Sequence, residues 1–384
     1  MNLYILEIKA HEAGHYTQEL NEFCKHIKSF FNSIKILTAF GFKDKWMPIE
    51  NCEIISLCSD KSYNKYTYFS FTKKLYNYQW EFYKSAVEII SKFPSNENVI
   101  HIWDVWSVFP IWYFLTPLKN LKIINLKSVH RKQMNVMGSK NIGLIQGQIS
   151  KILLRRIANK YIAHTAGIVD EAVGIGIEKN KIVKVGIGIE NAGLLFSKSE
   201  AREKLNLPPN LFLVLFFGVI REEKGIYELF NHIKNVSLEF KLFIVGENRL
   251  NKSLTEISKD YGIEEKVIIE SRYIWDDEIE KYFRASDAVI ICHKKGFKGE
   301  SGVLLKAIQY QIPVITNLGS NSARIVKEEG IGSVFSLLKP GSITDAISYI
   351  MTNQDIIDKN LELSRKKFSW DQMIPEYRSI YFSN

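Results

Sequence analysis

This chain of 384 residues is predicted to fold as two consecutive α/β domains, each a doubly wound parallel sheet between layers of helices. Three observations carry that expectation. Short apolar strand patterns alternate with helical patterns along the chain, which favours parallel sheets joined by crossover helices. The alternation comes in two series, separated by the glycine-rich stretch Val185–Gly193, VGIGIENAG, the natural hinge. The length is too great for one ordinary core and comfortable for two.

In the first series, Leu3–Ile8 reads as an apolar strand. Thr17–Phe31 reads as a helix, with Leu20, Phe23, Ile27 and Phe30 at helical spacing. Ile34–Thr38 and Ile54–Leu57 are short strands, and Lys73–Phe93 is a long amphipathic helix rich in aromatic residues. Val99–Trp103 and Leu121–Leu126 are strands, each followed by a helix candidate. Ile149–Asn159 is a basic helix, and Tyr161–His164 and Ile182–Val185 close the series. The second series runs Phe212–Phe217, Leu242–Val245, Val267–Ile269, Ala288–Ile291, Val314–Thr316 and Ser333–Phe335, with helices between.

A hydrophobic content of 46% with 24% charged residues is that of a folded, soluble protein. The four cysteines, Cys24, Cys52, Cys58 and Cys292, form no Cys-x-x-Cys pair. Glu7 interrupts any early signal-peptide core, so they are expected to be reduced thiols of a cytoplasmic protein. No segment approaches the roughly 20 apolar residues that span a bilayer. Val105–Leu118 comes nearest and holds two prolines. Charge is uneven. Up to Ile187 there are 25 Lys and Arg against 15 Asp and Glu, and beyond it 26 against 27. Val105–Val169 alone has ten basic residues and no acidic one. Such a stretch is a solvated basic surface, or it meets an anionic membrane or an anionic acceptor. Nucleic acid is not expected, because no recognition motif accompanies the charge.

Two strand–loop–helix junctions carry the chemistry. Leu211–Gly225, LFLVLFFGVIREEKG, breaks at Gly218 and places Arg221 and Lys224 in the turn before a helix. Gly299–Pro313, GESGVLLKAIQYQIP, sets Ser301-Gly302 at the start of a helix, with the strand PVIT after it. Positive charge on one side and bare helix amides on the other suit a diphosphate. No Asp-x-Asp metal pair occurs, and a ligand belongs at the carboxyl ends of the strands.

Four segments together resemble family 4 glycosyltransferases, retaining enzymes of the GT-B fold, and the likeness spans nearly the whole chain. They are FGVIREEKGI at Phe217–Ile226, SRYIWDDEIEKYFRASDAVI at Ser271–Ile290, SGVLLKAIQYQIPVI at Ser301–Ile315 and FSWDQM at Phe368–Met373. The resemblance implies two Rossmann-like domains whose parallel sheets face a central cleft. Residues 1–187 would bind the acceptor, 188–367 would bind the nucleotide sugar, and the C-terminal helix 368–384 would pack back on the first domain.

It also implies roles. Arg221 and Lys224 would bind the donor diphosphate from an exposed turn, and Gly218 would let the backbone pass close to the donor. The Gly302 and Val303 amides and the Ser301 hydroxyl would hold the distal phosphate, and main-chain groups of Tyr273 and Ile274 would read the base. His130, after the strand LKIINLKSV, would touch the transferred sugar. Glu300 would be a sugar ligand, an electrostatic partner of the transition state, or a helix N-terminal carboxylate. Gly14 would belong to an acceptor-side loop, while His101 is a core or cleft-lining residue.

The implied activity is retaining transfer of a hexose from a nucleoside diphosphate sugar to a hydroxyl of a glycan, lipid-linked glycan or protein. Neither a metal nor a cofactor is expected. The implied location is cytoplasmic, with peripheral attachment at the inner face of the membrane. Lys298 and Lys306 stand where the family often carries glutamates, the second of which binds ribose. Cys292-His293 replaces the usual Pro-Tyr. These departures leave open a non-catalytic GT-B partner of an active transferase. A sugar-nucleotide epimerase, which needs no acceptor, is a further alternative.

Overall fold

The computed structural model describes residues 1–8, 16–39, 46–58, 73–93, 98–103, 121–126, 148–191, 193–294 and 301–382. The chain divides into two compact units. One is Met1–Ile187 together with Met373–Asn384, and the other is Gly188–Gln372.

The first unit holds a seven-stranded sheet: β1 (Asn2–Glu7), β2 (Ser33–Thr38), β3 (Cys52–Ser56), β4 (Asn98–Ile102), β5 (Leu121–Leu126), β6 (Lys160–Ala163) and β7 (Ile182–Lys184). All pairs are parallel, in the order β3-β2-β1-β4-β5-β6-β7. The chain builds outward from β1 and then restarts on its other side at β4, which is the doubly wound pattern. Both faces of β1 are covered. Tyr4, Leu6 and Ile8 pack with Phe82, Tyr83 and Ile90 of the helix Lys73–Ser91. On the other face Phe23, from the helix Tyr16–Ile27, meets the rings of His101 at 5.7 Å and Tyr377 at 5.2 Å. His101 is fully buried, with Nδ1 2.7 Å from the Tyr381 hydroxyl. It is a core residue that ties the C-terminal helix Trp370–Phe382 to this sheet.

The basic helix is shorter than expected, running over 148–154 rather than to Asn159. Tyr161 ends it: its hydroxyl donates to the Leu154 carbonyl and accepts from the Ala158 amide at 3.3 Å. The chain then turns, so that Ile157 and Ala158 enter the core.

The second unit holds β8 (Leu213–Phe217), β9 (Lys241–Val245), β10 (Val267–Glu270), β11 (Ala288–Ile291), β12 (Val314–Asn317) and β13 (Gly332–Phe335). These are again all parallel, in the order β10-β9-β8-β11-β12-β13. The order reverses between β8 and β11. Loops leave the carboxyl ends of those two strands in opposite directions, which opens a crevice beyond them. Side-chain oxygens of Ser197, Ser253, Ser301 and Ser320 cap the helices that follow them, each taking an otherwise orphaned amide.

Candidate functional site

The turn after β8 is built around glycines. Gly218 has φ +95° and Gly246 has φ +142°, and a Cβ on Gly246 would lie 2.3 Å from the Gly218 carbonyl oxygen. Only glycine lets the two strand ends come this close. The amide of Gly218 donates to Val245 at 2.9 Å and that of Ile220 to Glu247 at 2.8 Å, so the turn is pinned to the end of β9. The backbone is extended at Arg221, makes a 3₁₀ turn over Glu222–Lys224, and enters the helix Ile226–Ile233 through Gly225 at φ +64°.

Lys224 folds back over Gly218. Its Nζ donates to the Phe217 carbonyl at 2.9 Å. Burial, then the neighbouring Arg221 charge, pulls its pKa down to about 8, with Glu223 opposing. This corrects the expectation of an exposed turn. The residue is half-buried and its ammonium is enclosed, because Gly218 has no side chain to exclude it. Arg221 differs: its guanidinium makes no hydrogen bond or ion pair among the described residues. A forked cation without a partner among the described residues is suited to a bidentate anion.

The strand next to β8 supplies the second wall. Cys292 and His293 follow β11, and the Cys292 thiol donates to the Gly225 carbonyl at 3.7 Å. The Lys294 amide donates to Glu223 at 3.0 Å. Asn317, at the end of β12, takes the His293 amide on its Oδ1 at 2.9 Å and donates from Nδ2 to the His293 carbonyl at 3.0 Å. His293 is buried, and burial, then Lys224, lowers its pKa to about 4. Its imidazole is therefore neutral at pH 7. Burial pushes the Cys292 thiol up to about 12, so it is inert packing and not a nucleophile.

Ser301 opens the helix Gly302–Gln309, its Oγ accepting from the Leu304 amide at 3.4 Å. Capping uses a lone pair and leaves the hydroxyl proton for another acceptor. The Gly302 and Val303 amides donate to no group among the described residues, and a Cβ on Gly302 would meet nothing within 4 Å. Lys306 turns away from that end. Its Nζ lies 3.5 Å from Gln309 Oε1 and 5.8 Å from the centre of the Tyr310 ring.

Tyr273 and Ile274 follow β10, in a loop held from beneath by Arg272. Its guanidinium binds Glu270 at 2.8 Å, the Tyr273 carbonyl at 3.0 Å, both Glu278 oxygens at 2.8 and 2.6 Å, and the Tyr282 hydroxyl at 2.8 Å. Glu278 accepts in turn from the Trp275 amide at 3.2 Å. These bonds to Arg272 drive the Glu278 carboxyl down to about 2. The indole of Trp275, 56% exposed, packs edge-on to Tyr273 at 5.0 Å. Arg272, Trp275 and Asn317 escaped sequence reasoning. A run of charge around an exposed tryptophan was the available signal for the first two, and Asn317 had none.

In the first unit, Gly14 and His130 lie outside the described residues, as do Glu300 and Lys298 of the second. Lys151 is buried, whereas Ile149 and Ile152 are 43% and 50% exposed. Arg155 and Arg156 follow on the surface, Arg155 donating to the Ile175 carbonyl.

Residues 197–369 match the family described as glycosyl transferases group 1. TuaC of Bacillus subtilis, a glycosyltransferase named for teichuronic acid biosynthesis, is 25% identical over 187 residues, 48% of this chain and 44% of TuaC. The lipopolysaccharide 1,6-galactosyltransferase of Salmonella typhimurium is 23% identical over 188 residues, 47% of this chain and 50% of that enzyme. The matches thus span about half the length of these relatives. Among solved structures, sucrose-phosphate synthase from Thermosynechococcus elongatus superposes with a TM-score of 0.79 at 16% identity, covering 99% of this chain and 98% of that one. WaaG, a lipopolysaccharide-biosynthesis glycosyltransferase, gives 0.74 at 14% with both chains fully covered. HepE of Anabaena, solved with UDP and glucose, gives 0.73 at 13%, again over both whole chains. At such identities the likeness shows the fold, which is GT-B.

Proposed function

From the premise that residues 197–369 belong to the glycosyl transferases group 1 family, we propose that this protein is a retaining hexosyltransferase using a nucleoside diphosphate sugar. The observation that carries this is the convergence at the β8/β11 switch point. Arg221, whose guanidinium has no partner among the described residues, and the enclosed ammonium of Lys224 follow β8, while the amides of Gly302 and Val303 open the helix that comes after the adjacent strand β11. Each favours negative charge, and the charge that grows on a departing diphosphate is stabilised where preformed cations and dipoles already await it. These groups supply the electrophilic help that a divalent ion would otherwise give, so transfer is proposed to be metal-independent. In a retaining front-face reaction the departing phosphate takes the acceptor's proton, and no side-chain nucleophile is required.

Release of nucleoside diphosphate from a panel of sugar nucleotides tests this reading, starting with UDP-glucose, because HepE was solved with UDP and glucose. Turnover is expected to survive EDTA and to keep the donor's anomeric configuration by NMR. Replacing Arg221 with Ala is expected to cost about 2–4 kcal/mol of transition-state stabilisation. An inverted product, or full activity in Arg221→Ala, would overturn the assignment.

The acceptor is proposed to be a hydroxyl of a growing glycan, as suits relatives in teichuronic acid and lipopolysaccharide synthesis. A lipid-linked acceptor at an anionic bilayer surface is favoured by the first unit. Ile149 and Ile152 stand exposed on the helix that leads into Arg155 and Arg156, within the stretch of ten basic residues and no acidic one. Apolar groups beside cations are the pattern of peripheral membrane contact. No helix among the described residues is long and apolar enough to cross a membrane.

A further inference from the structure

Three neighbouring strands of the second unit, β8, β9 and β10, end side by side. β8 leads into the turn of Arg221 and Lys224, and β10 into the loop of Tyr273 and Trp275. β9, between them, leads into Gly246, Glu247, Asn248 and Arg249. That end is fixed to the Arg221 turn, for Ile220 and Asn248 pair as a parallel bridge. The Ile220 amide donates to the Glu247 carbonyl at 2.8 Å, and the Arg249 amide donates to the Ile220 carbonyl at 3.0 Å. Successive residues of such a ladder point to opposite sides. Ile220 is fully buried, so Glu247 and Arg249 turn the other way, as does Arg221, whose backbone is extended. There the two meet: Arg249 Nη2 donates to Glu247 Oε2 at 3.0 Å, and both side chains are more than a third exposed. We infer that Glu247 binds the ribose hydroxyls of the donor nucleotide, that Arg249 positions it, and that the donor is a ribonucleoside and not a deoxyribonucleoside diphosphate sugar. The assignment rests on the donor site proposed above.

Strand spacing and hydrogen-bond chemistry carry it. Adjacent strands lie about 4.8 Å apart, so the ends of β8 and β10 are separated by about 10 Å. A nucleoside diphosphate bridges such a gap with its phosphates at one end, its base at the other and its ribose in the middle. The Arg221 turn offers the phosphates a cationic surface. The exposed indole of Trp275, edge-on to Tyr273, offers the base a flat apolar one. Glu247 then stands where the ribose passes. An ionised carboxylate only accepts hydrogen bonds, which suits the paired O–H donors of a ribose diol and nothing on a phosphate. Its Oε1 makes no hydrogen bond among the described residues and is open to such a donor. Without Arg249 the same charge would repel the diphosphate one strand away. Arg249 offsets it and holds the carboxylate in one orientation. A site built to bond a hydroxyl discriminates against the analogue that lacks it, because the acceptor is then left unpaired.

The test measures binding of UDP, of dideoxy-UDP, which lacks both ribose hydroxyls, and of inorganic diphosphate. It compares wild type, Glu247→Ala, Arg249→Met and Arg221→Ala. UDP and its dideoxy analogue carry the same charge, so the ratio of their affinities reports the hydroxyls and not the general field. Wild type is expected to prefer UDP about tenfold, the worth of one charge-assisted hydrogen bond. Glu247→Ala should bring the ratio close to one and Arg249→Met should lower it, while both variants melt as wild type does and still bind inorganic diphosphate. Equal binding of the two nucleotides by wild type, or a tenfold ratio kept in Glu247→Ala, overturns the inference while the donor site stands. An unchanged ratio in Arg249→Met with weakened inorganic diphosphate makes Arg249 a phosphate ligand and overturns its positioning role. If inorganic diphosphate fails to bind wild type, or binds Arg221→Ala equally well, the donor site falls and the role of Glu247 falls with it. Glu247→Gln, which keeps the size of the side chain, repeats the measurement if Glu247→Ala does not fold.

Discussion

The ammonium of Lys224 occupies the space that a side chain on Gly218 would fill, 2.8 Å from the position of its Cβ. Six residues apart, the two are complementary. The glycine gives up its side chain, and the lysine uses the room to reach the Phe217 carbonyl and enclose its charge.

Substituting Gly218 with Ala is therefore expected to do two things. The positive φ of +95° strains any L side chain, costing about 1–3 kcal/mol. The methyl group also displaces the Lys224 ammonium, so affinity for inorganic diphosphate falls with stability. Denaturant midpoints and calorimetric titration report the two effects separately. Unchanged affinity would show that the position of Lys224 is immaterial.

Lys224 should leave a signature in alkaline stability. Its folded pKa of about 8 lies below the ordinary lysine value of 10.5, so between those values the unfolded chain holds more protons. Stability attributable to this group then rises with pH across that window. Lys224→Met should remove that slope relative to wild type and cut turnover by about 2–4 kcal/mol in transition-state terms. Denaturation at pH 7, 8, 9 and 10 measures it, and parallel curves for the two proteins contradict it.

His293 acts on the acid side. Its folded pKa of about 4 lies below the ordinary 6.5, so the unfolded chain binds the extra proton between these values. Stability must fall as pH drops from 6.5 to 4. In His293→Gln that part of the fall should be missing. Equal acid slopes would mean that the imidazole is solvated.

Arg272 should separate base from phosphate. Lysine cannot span Glu270, the Tyr273 carbonyl, Glu278 and Tyr282 at once, because it lacks the planar fork. Arg272→Lys is expected to weaken UDP roughly tenfold, on the scale of one charged hydrogen bond, and to leave inorganic diphosphate untouched. Loss of both probes would point to wider unfolding of the unit, which circular dichroism detects.

Membrane attachment is tested by Ile149→Glu with Ile152→Glu. Wild type is expected to sediment with anionic vesicles at low salt and to be released at high salt, each basic residue near the surface contributing about 1 kcal/mol. The double variant should stay in the supernatant with anionic and neutral vesicles alike. Wild type found in the supernatant under every condition removes the membrane proposal and leaves a soluble acceptor.

Much of this protein was written in local pattern. Alternating strand and helix signals specified parallel α/β architecture, because burying a sheet on both faces demands apolar strands of this length. The break at Gly218 and the small pair Ser301-Gly302 marked two loop–helix junctions, because chain reversal and capping are decided within a few residues. The tertiary structure decided which side chains those junctions enclose. Lys224 lies inside because Gly218 leaves it room. Ile157 and Ala158 enter the core because the Tyr161 hydroxyl takes the Leu154 carbonyl where the helix stops and the chain turns. Asn317 meets His293, 24 residues away, only because β11 and β12 run parallel in one register. Such contacts depend on strand order and register, which arise from packing the whole sheet, so no short window of sequence contains them.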